Sequence, residues 1–522
     1  MKGVASKLMG DDVSRGAFRV HAVALVSLSL VFVLFGLLRY AYYPGLYMDG
    51  VNPDYLASQT LNPGLHNPKW VIPTVLGPVL GNLYHGTENY YVDLIAFSLF
   101  GQSVSIVRIA QGLFGLGIVS LIYLISWKKS GNRNQSFLIA MAMATNVAFY
   151  ISFRTQFYIT IAGSFWLLLS VYFLIREDRK RWHELTSGIA FGLAIYAYFV
   201  FVFFLPVLLA YVWAIRNKVP LRWGVGVAIG LSLYALGYAS VILAIGGFAN
   251  GYQWFLSTFH SLAPISGHST FWVDVRYALN CTQLAFSNGG NENMIFNRQI
   301  TPFLGNIQVL IDVIALAVSV FLCRKSKAFL LCLLPLSFIL LASLFGKRLW
   351  VHHYVVLVPV VYMLIGITDW SMLGLKGRAK KYGAAGVFCF LLSINVAQSH
   401  VFFNELVNSG GVKYFSSAIN TFSLDAMTSK DALYVFPDWG FYMPFDLLTY
   451  NSVPYTLGSD ANQIKISMNG RKEVHLAYWD EGDTVKYTNI LQLTGVVNIH
   501  RKTFYQRNGF PAFYVLVGDI KK

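Results

Sequence analysis

Long apolar runs separated by short basic gaps fill the first 400 residues of this chain. A helix needs about 20 residues to cross the hydrocarbon core of a bilayer, and on that length about eleven spans are predicted. They centre on residues 21–40, 104–127, 135–152, 157–175, 186–199, 200–215, 223–245, 303–323, 328–345, 352–369 and 383–399. The pair at 186–215 is the least marked, because one apolar run rich in Tyr and Phe must hold two helices. Two long loops interrupt the pattern, residues 41–103 and 246–302. Pro44, Pro53, Pro63, Pro68, Pro73 and Pro78 prevent the first from forming one helix. It reads instead as short helices along the membrane surface. Past residue 400 the period shortens to strand-like runs, as in Ala432-Leu433-Tyr434-Val435-Phe436 and Ala512-Phe513-Tyr514-Val515-Leu516-Val517. Residues 413–427 suit a helix ahead of them. The predicted architecture is a polytopic α-helical membrane domain, 1–400, followed by a small extracytoplasmic α/β domain, 401–522.

Composition agrees with this pattern. The chain is 56% hydrophobic and only 12% charged, with a mean hydropathy of +0.53. These values exclude a disordered chain, a fibre and an ordinary soluble enzyme. The net charge of +16 could suggest nucleic acid, but its distribution removes that reading. Residues 401–522 hold 11 basic and 11 acidic side chains, whereas the first 400 hold 29 and 13. With the N-terminus placed in the cytoplasm, 21 of those 29 basic residues fall in cytoplasmic segments. Such a bias orients a membrane protein. It puts both long loops and the C-terminal domain outside, and a bacterial inner (plasma) membrane is the expected location. The first span ends in aromatic residues instead of a small-residue cleavage site, so it reads as a retained span. Cys281, Cys323, Cys332 and Cys389 show no CxxC spacing, which supports neither a disulfide framework nor a zinc site. There is no nucleotide-binding glycine motif and no HExxH, so no primary pump is indicated.

Chemistry is concentrated after the first span, in Tyr47-Met48-Asp49-Gly50-Val51-Asn52-Pro53-Asp54-Tyr55-Leu56. Two carboxylates lie five residues apart in an otherwise acid-poor stretch. Asn52-Pro53-Asp54 makes a good helix start, with Asn as cap and an acid near the positive end of the dipole, which alone could account for Asp54. Asp49, followed by Gly50, has no such local role. In the C-terminal domain, Trp439 beside Asp438 could stack on a sugar ring, although a buried Trp closing the small core is the favoured reading.

Several segments resemble the GT-C membrane glycosyltransferases, the group of the protein O-mannosyltransferases and aminoarabinose transferases. An acidic motif just past the first span is a hallmark of that superfamily. Ser98-Leu99-Phe100-Gly101-Gln102-Ser103, followed by Arg108, resembles its "LFG-S…R" stretch. Tyr150-Ile151-Ser152-Phe153-Arg154-Thr155-Gln156-Phe157 is similar to its short second external loop. His352-His353-Tyr354 with Pro359 resembles its late "Y…P" helix. The likeness covers roughly residues 20–370. The family commonly carries adjacent Asp-Glu where this chain has Asp49-Gly50, so both Asp49 and Asp54 stand for the catalytic place.

The resemblance implies transfer of a sugar from a polyprenyl-phosphate donor to a glycan, lipid or protein acceptor outside the cytoplasm. Inverting displacement needs a base for the acceptor hydroxyl, and a loop carboxylate with a pKa raised by partial burial serves. It also needs cations for the departing phosphate. The adjacent Lys347-Arg348 pair at the outer end of a span, with His352 and His353 close behind, is the leading phosphate cradle, and Arg154 joins it. Snorkelling to lipid head groups is the competing reading for the pair, and a helix-end anchor for Arg154. Glu88, Lys69 and Tyr55 are candidate contacts to the acceptor or sugar. No cofactor is certain; a divalent metal suits the chemistry, but paired histidines without a third ligand do not point to one. The alternatives are a flippase for lipid-linked sugars, or an O-antigen ligase or polymerase.

Overall fold

The computed structural model describes residues 19–521 apart from 40, 53, 67–78, 83, 156, 177–179, 263–269, 371–376 and 430. Six helices among them are long and apolar enough to cross a membrane: Arg19–Leu38, Val104–Ser130, Phe199–Arg216, Leu221–Ala244, Pro302–Cys323 and Gly386–Ser409. Arg133–Ala144 and Val147–Arg154 form a further apolar pair, bent by 49°, which has the length and composition of one broken span or of a re-entrant loop. The bend has a local cause. Thr145 returns its hydroxyl to the Met141 carbonyl, and Asn146 caps the next segment by accepting from the Phe149 amide. Shorter apolar helices occupy Ile159–Leu174, Ala328–Ser343 and Val351–Gly366. The chain is a multi-pass membrane protein, and every predicted span falls on helix.

The ambiguous stretch at 186–215 divides at Tyr198, whose extended backbone separates the helix Arg181–Ala197 from a 3-10 segment, Phe199–Phe204. Pro206 sits in the first turn of the helix Leu205–Arg216 and cannot donate back into that segment. The helices Arg181–Ala197 and Leu221–Ala244 approach until backbones touch. A Cβ on Gly188 would lie 2.1 Å from the Trp223 carbonyl oxygen, and one on Gly230 would lie 2.6 Å from that of Ile189. Gly188 and Gly192 face Gly226 and Gly230, a pair of four-residue glycine spacings that permits this closeness.

In the first loop the helices Asp54–Leu61 and Glu88–Phe100 flank a small hairpin, β1 (Leu80–Asn82) with β2 (His85–Gly86). The second long loop is also helical, with Phe248–Leu262, Phe271–Phe286 and Gly289–Phe296. The last span does not stop near residue 399. It runs unbroken to Ser409, because Phe402, Phe403 and Leu406 stay fully buried.

The C-terminal domain is built on a five-stranded sheet of β3 (Ala432–Phe436), β4 (Tyr455–Leu457), β5 (Glu473–Tyr478), β6 (Val496–Tyr505) and β7 (Pro511–Ile520), ordered β4-β3-β5-β7-β6. The strand β3 is parallel to both neighbours, while β7 runs antiparallel to β5 and β6. Side-chain alternation serves two cores at once. Ala432, Tyr434 and Phe436 pack with Phe422 and Phe445 on one face, whereas Leu433 and Val435 pack with Ile464 and Leu491 on the other.

This domain is docked on the first loop. Leu46, Met48, Val51, Tyr55 and Leu56 share a buried cluster with Met443 and Leu447. Gln59 donates to Asp446 at 2.8 Å, and the Gly45 amide donates to the Phe415 carbonyl at 2.7 Å. A Cβ on Gly45 would stand 2.1 Å from the Ser416 carbonyl oxygen, so only glycine fits.

Candidate active site

Two buried arginines hold the end of the first span. Its last residues, Phe32–Leu38, form a π-type turn whose carbonyls lack ordinary helical partners. Arg154 supplies them. Its Nε and Nη2 donate to the Gly36 carbonyl at 3.1 and 2.9 Å, Nη2 also reaches Leu37 and Arg39, and Nη1 reaches Tyr43 at 3.1 Å. Arg108 likewise donates to the carbonyls of Ala41 and Pro44. Five donors in a planar fork suit several carbonyls at once. Arg154 was expected at the donor phosphate. Its donors instead face backbone, and it positions the loop.

The turn so fixed delivers Asp49, which opens a single 3-10 turn, Asp49–Val51. The carboxylate is half-buried, and the Tyr47 hydroxyl donates to its Oδ2 at 3.4 Å. Burial raises the Asp49 pKa above the usual carboxylate value, against the opposing effect of that hydrogen bond. Tyr47, Tyr84 and Tyr442 are pushed up chiefly by burial, with the Asp49 charge adding to it. Asp49 is thus half-buried, with the Tyr47 phenol against its carboxylate.

Asp54 faces elsewhere. It is fully buried against Asp93, and Gln111 donates to Asp93 Oδ2 at 2.6 Å while standing 3.4 Å from Asp54 Oδ1. Burial, and then the Asp54 charge and hydrogen bond, hold Asp93 well above the usual range. Two acids can lie together out of water when they share a proton. This cluster ties the helices Asp54–Leu61, Glu88–Phe100 and Val104–Ser130. Asn52, expected as a cap, has a buried Oδ1 without a hydrogen-bond partner among the described residues.

Elsewhere in the bundle, the Tyr198 hydroxyl lies 3.1 Å from His353 Nε2. The ring of Tyr84 stands 5.6 Å from that of Tyr198. His352 packs on His353 at 3.9 Å. The histidines therefore pack with Tyr198, whose ring neighbours Tyr84. Just before them, Lys347 and Arg348 lie in a short 3-10 turn, Gly346–Arg348. Lys347 is exposed; Arg348 is half-buried, and its Nε has no hydrogen-bond partner among the described residues. Phe345 packs this turn on Phe199, the neighbour of Tyr198.

Other expectations fare differently. Tyr55 is 4% exposed and packs edge-on against Tyr442, so it belongs to the domain interface and presents no surface to a sugar. Glu88 receives the Trp166 indole N–H at 2.8 Å, and burial raises its pKa to about 7. Lys69 lies outside the described residues. Among the described residues no three His, Cys, Asp or Glu side chains gather as a metal site. The favoured core reading of Trp439 is overturned: the residue is 46% exposed. Tyr84, Asp93, Tyr198 and Tyr442 were not singled out in the sequence. Only the Tyr84-His85 pair beside the Pro-rich stretch gave a local signal.

A long first loop carrying an acid, arginine-anchored to a helical bundle and covered by a C-terminal sheet domain, defines the class by fold: a polytopic helical membrane domain with an appended α/β domain. The family of dolichyl-phosphate-mannose-protein mannosyltransferases matches residues 89–238. In fold, the chain is similar to ArnT from Cupriavidus metallidurans bound to undecaprenyl phosphate, with a TM-score of 0.61 and 13% identity over 95% of this chain and 97% of that one. The apo state of ArnT from Cupriavidus metallidurans gives a TM-score of 0.60 and 12% identity over 96% and 98%. No curated protein sequence matches the chain.

Proposed function

We propose that this chain moves a sugar from a polyprenyl-phosphate donor to an acceptor outside the cytoplasm, with inversion at the anomeric carbon and Asp49 as base. The half-buried Asp49 carboxylate among phenols carries this reading. The fold's match to a protein holding undecaprenyl phosphate supports the donor class. Asp49 takes the acceptor hydroxyl proton as the oxygen attacks the anomeric carbon. The bond to the donor phosphate breaks, and its electron pair leaves with the phosphate. Arg348 and Lys347 receive the growing negative charge. Asp312, the clearest mid-span acid, is hydrogen-bonded by Gln308 at 3.0 Å, and Gln308 also donates to Tyr362. That enclosed cluster does not favour a flippase.

The purified chain, given polyprenyl-phosphate sugars and fractions of host surface glycan, lipid and protein, is expected to release free polyprenyl phosphate only with a matching acceptor. Export of intact lipid-linked sugar without cleavage would defeat the proposal. Arg348→Ala should weaken donor binding and lower turnover about tenfold or more, with Arg348→Lys milder because it keeps charge but loses the fork. Normal turnover in Lys347→Ala, Arg348→Ala and the double variant would move the cradle elsewhere. The chemistry also requires an orientation, with the N-terminus inside and the inner (plasma) membrane as site. Alkaline phosphatase fused after residue 522 should be active, and fused after Arg378 silent. The reverse pattern would put Asp49 in the cytoplasm and end the proposal.

A further inference from the structure

Trp439 has no evident structural duty. The apolar core on its side of the domain is filled by Phe436, Phe441, Phe445 and Phe513, and Trp479 stacks on Phe441 at 3.9 Å. Yet the turn that carries Trp439 is held on both flanks. Asp438 accepts from the Trp479 amide at 3.1 Å and from the Tyr487 hydroxyl at 2.5 Å. Gly440, at φ +111°, donates its amide to the Met48 sulfur at 3.1 Å. A residue with a Cβ is strained at that angle. The turn therefore fixes an indole that is 46% exposed.

Two further rings meet it. Tyr47 lies 5.3 Å away at 70°, and Tyr414, itself 39% exposed, lies 5.7 Å away at 76°. Among the described residues neither the Trp439 indole N–H nor the Tyr414 hydroxyl has a hydrogen-bond partner. An open aromatic corner with two idle polar tips matches a pyranose, which offers an apolar C–H face and a rim of hydroxyls. The corner is one phenol away from the base, because Tyr47 touches Trp439 with its ring and donates to Asp49 with its hydroxyl. It adjoins Asp49 from the side of the C-terminal domain, through Tyr47.

We infer that Trp439 and Tyr414 form the acceptor subsite, and that the acceptor is a glycan whose pyranose ring packs on Trp439. This rests on the transferase reading and names the acceptor class for the same site. A lipid anchor in the donor comes from the membrane-embedded bundle, so the domain side of Asp49 is the side left for the incoming hydroxyl. Trp439 is a binding residue here and takes no part in proton transfer.

The test uses the purified full chain and two kinds of probe. Saturation-transfer NMR with methyl β-D-galactopyranoside and methyl β-D-glucopyranoside reads the corner, and binding of undecaprenyl phosphate reads the donor side. At least one pyranoside should receive saturation on its ring C–H protons. Trp439→Ala should cut that transfer about fivefold or more, Trp439→Phe should keep most of it, and undecaprenyl phosphate affinity should stay unchanged in both. Because the side chain is exposed, both variants should keep the wild-type thermal midpoint. Absence of saturation in the wild type, equal saturation in Trp439→Ala, or a parallel fall in undecaprenyl phosphate affinity each overturns the inference. The transferase reading fails separately, through a wild-type chain that binds no undecaprenyl phosphate while Trp439-dependent saturation persists.

Discussion

Asp49→Asn is expected to lower sugar transfer by roughly two to four orders of magnitude, the usual worth of a positioned general base. The amide keeps the shape of the carboxylate and can still meet the Tyr47 hydroxyl, but it cannot take a proton. Since burial raises the Asp49 pKa, the carboxylate form is lost on acidification above the ordinary aspartate range. The acid limb of kcat/KM should therefore lie above that range in the wild type and be absent from the residual activity of Asp49→Asn. Asp54→Asn should cost less, because Asp54 is fully buried beside Asp93 and Gln111 and lies away from the Asp49 carboxylate and its Tyr47 partner. Transfer measured with a polyprenyl-phosphate sugar decides between them. A dead Asp54→Asn beside a near-normal Asp49→Asn would exchange the two roles, and two normal variants would remove the enzyme.

Arg154→Ala should instead damage the fold. The buried guanidinium serves carbonyls of Gly36 and Leu37, which are buried, and of Arg39 and Tyr43, which are half-buried. Removing it leaves several acceptors without donors, at about 1–3 kcal/mol each. A loss of at least about 3 kcal/mol is expected on that basis, read as a fall of several degrees in the thermal midpoint of the detergent-solubilised protein. Arg154→Lys should recover little, since one ammonium cannot span four carbonyls. An Arg154→Ala protein with an unchanged midpoint and weakened donor binding would return Arg154 to the phosphate.

The spans were legible because about 20 apolar residues with basic ends have few other physical meanings. The division at Tyr198 was not, since a Tyr- and Phe-rich run looks alike on either side of the break. Alternation in β3 and β7 marked strands, but not their order, which depends on which helices cover each face. At the site, Asp49 stood out through its lack of a local role. The burial of Asp54 could not be read, because its partner Asp93 is 39 residues on and in another helix. The carbonyl partners of Arg154 could not be read for the same reason: a cation in a short loop looks the same whether it meets a phosphate or a carbonyl. Trp439 was assigned to the core on residue type alone, and only the crowd of phenylalanines behind it shows that the core was already full.

The shared cluster between the first loop and the outer domain sets an order of assembly. Leu46, Met48, Val51 and Tyr55 leave the ribosome early, but Met443 and Leu447, which cover them, lie almost 400 residues later. Until the end of the chain has been made, these apolar side chains have no lid and the Asp49 turn lacks the wall that the C-terminal domain provides. A nascent or prematurely terminated chain ending near Ser409 would carry every described membrane-length helix and an uncovered first loop. Such a chain would leave Leu46, Met48, Val51 and Tyr55 without the side chains that cover them in the full chain.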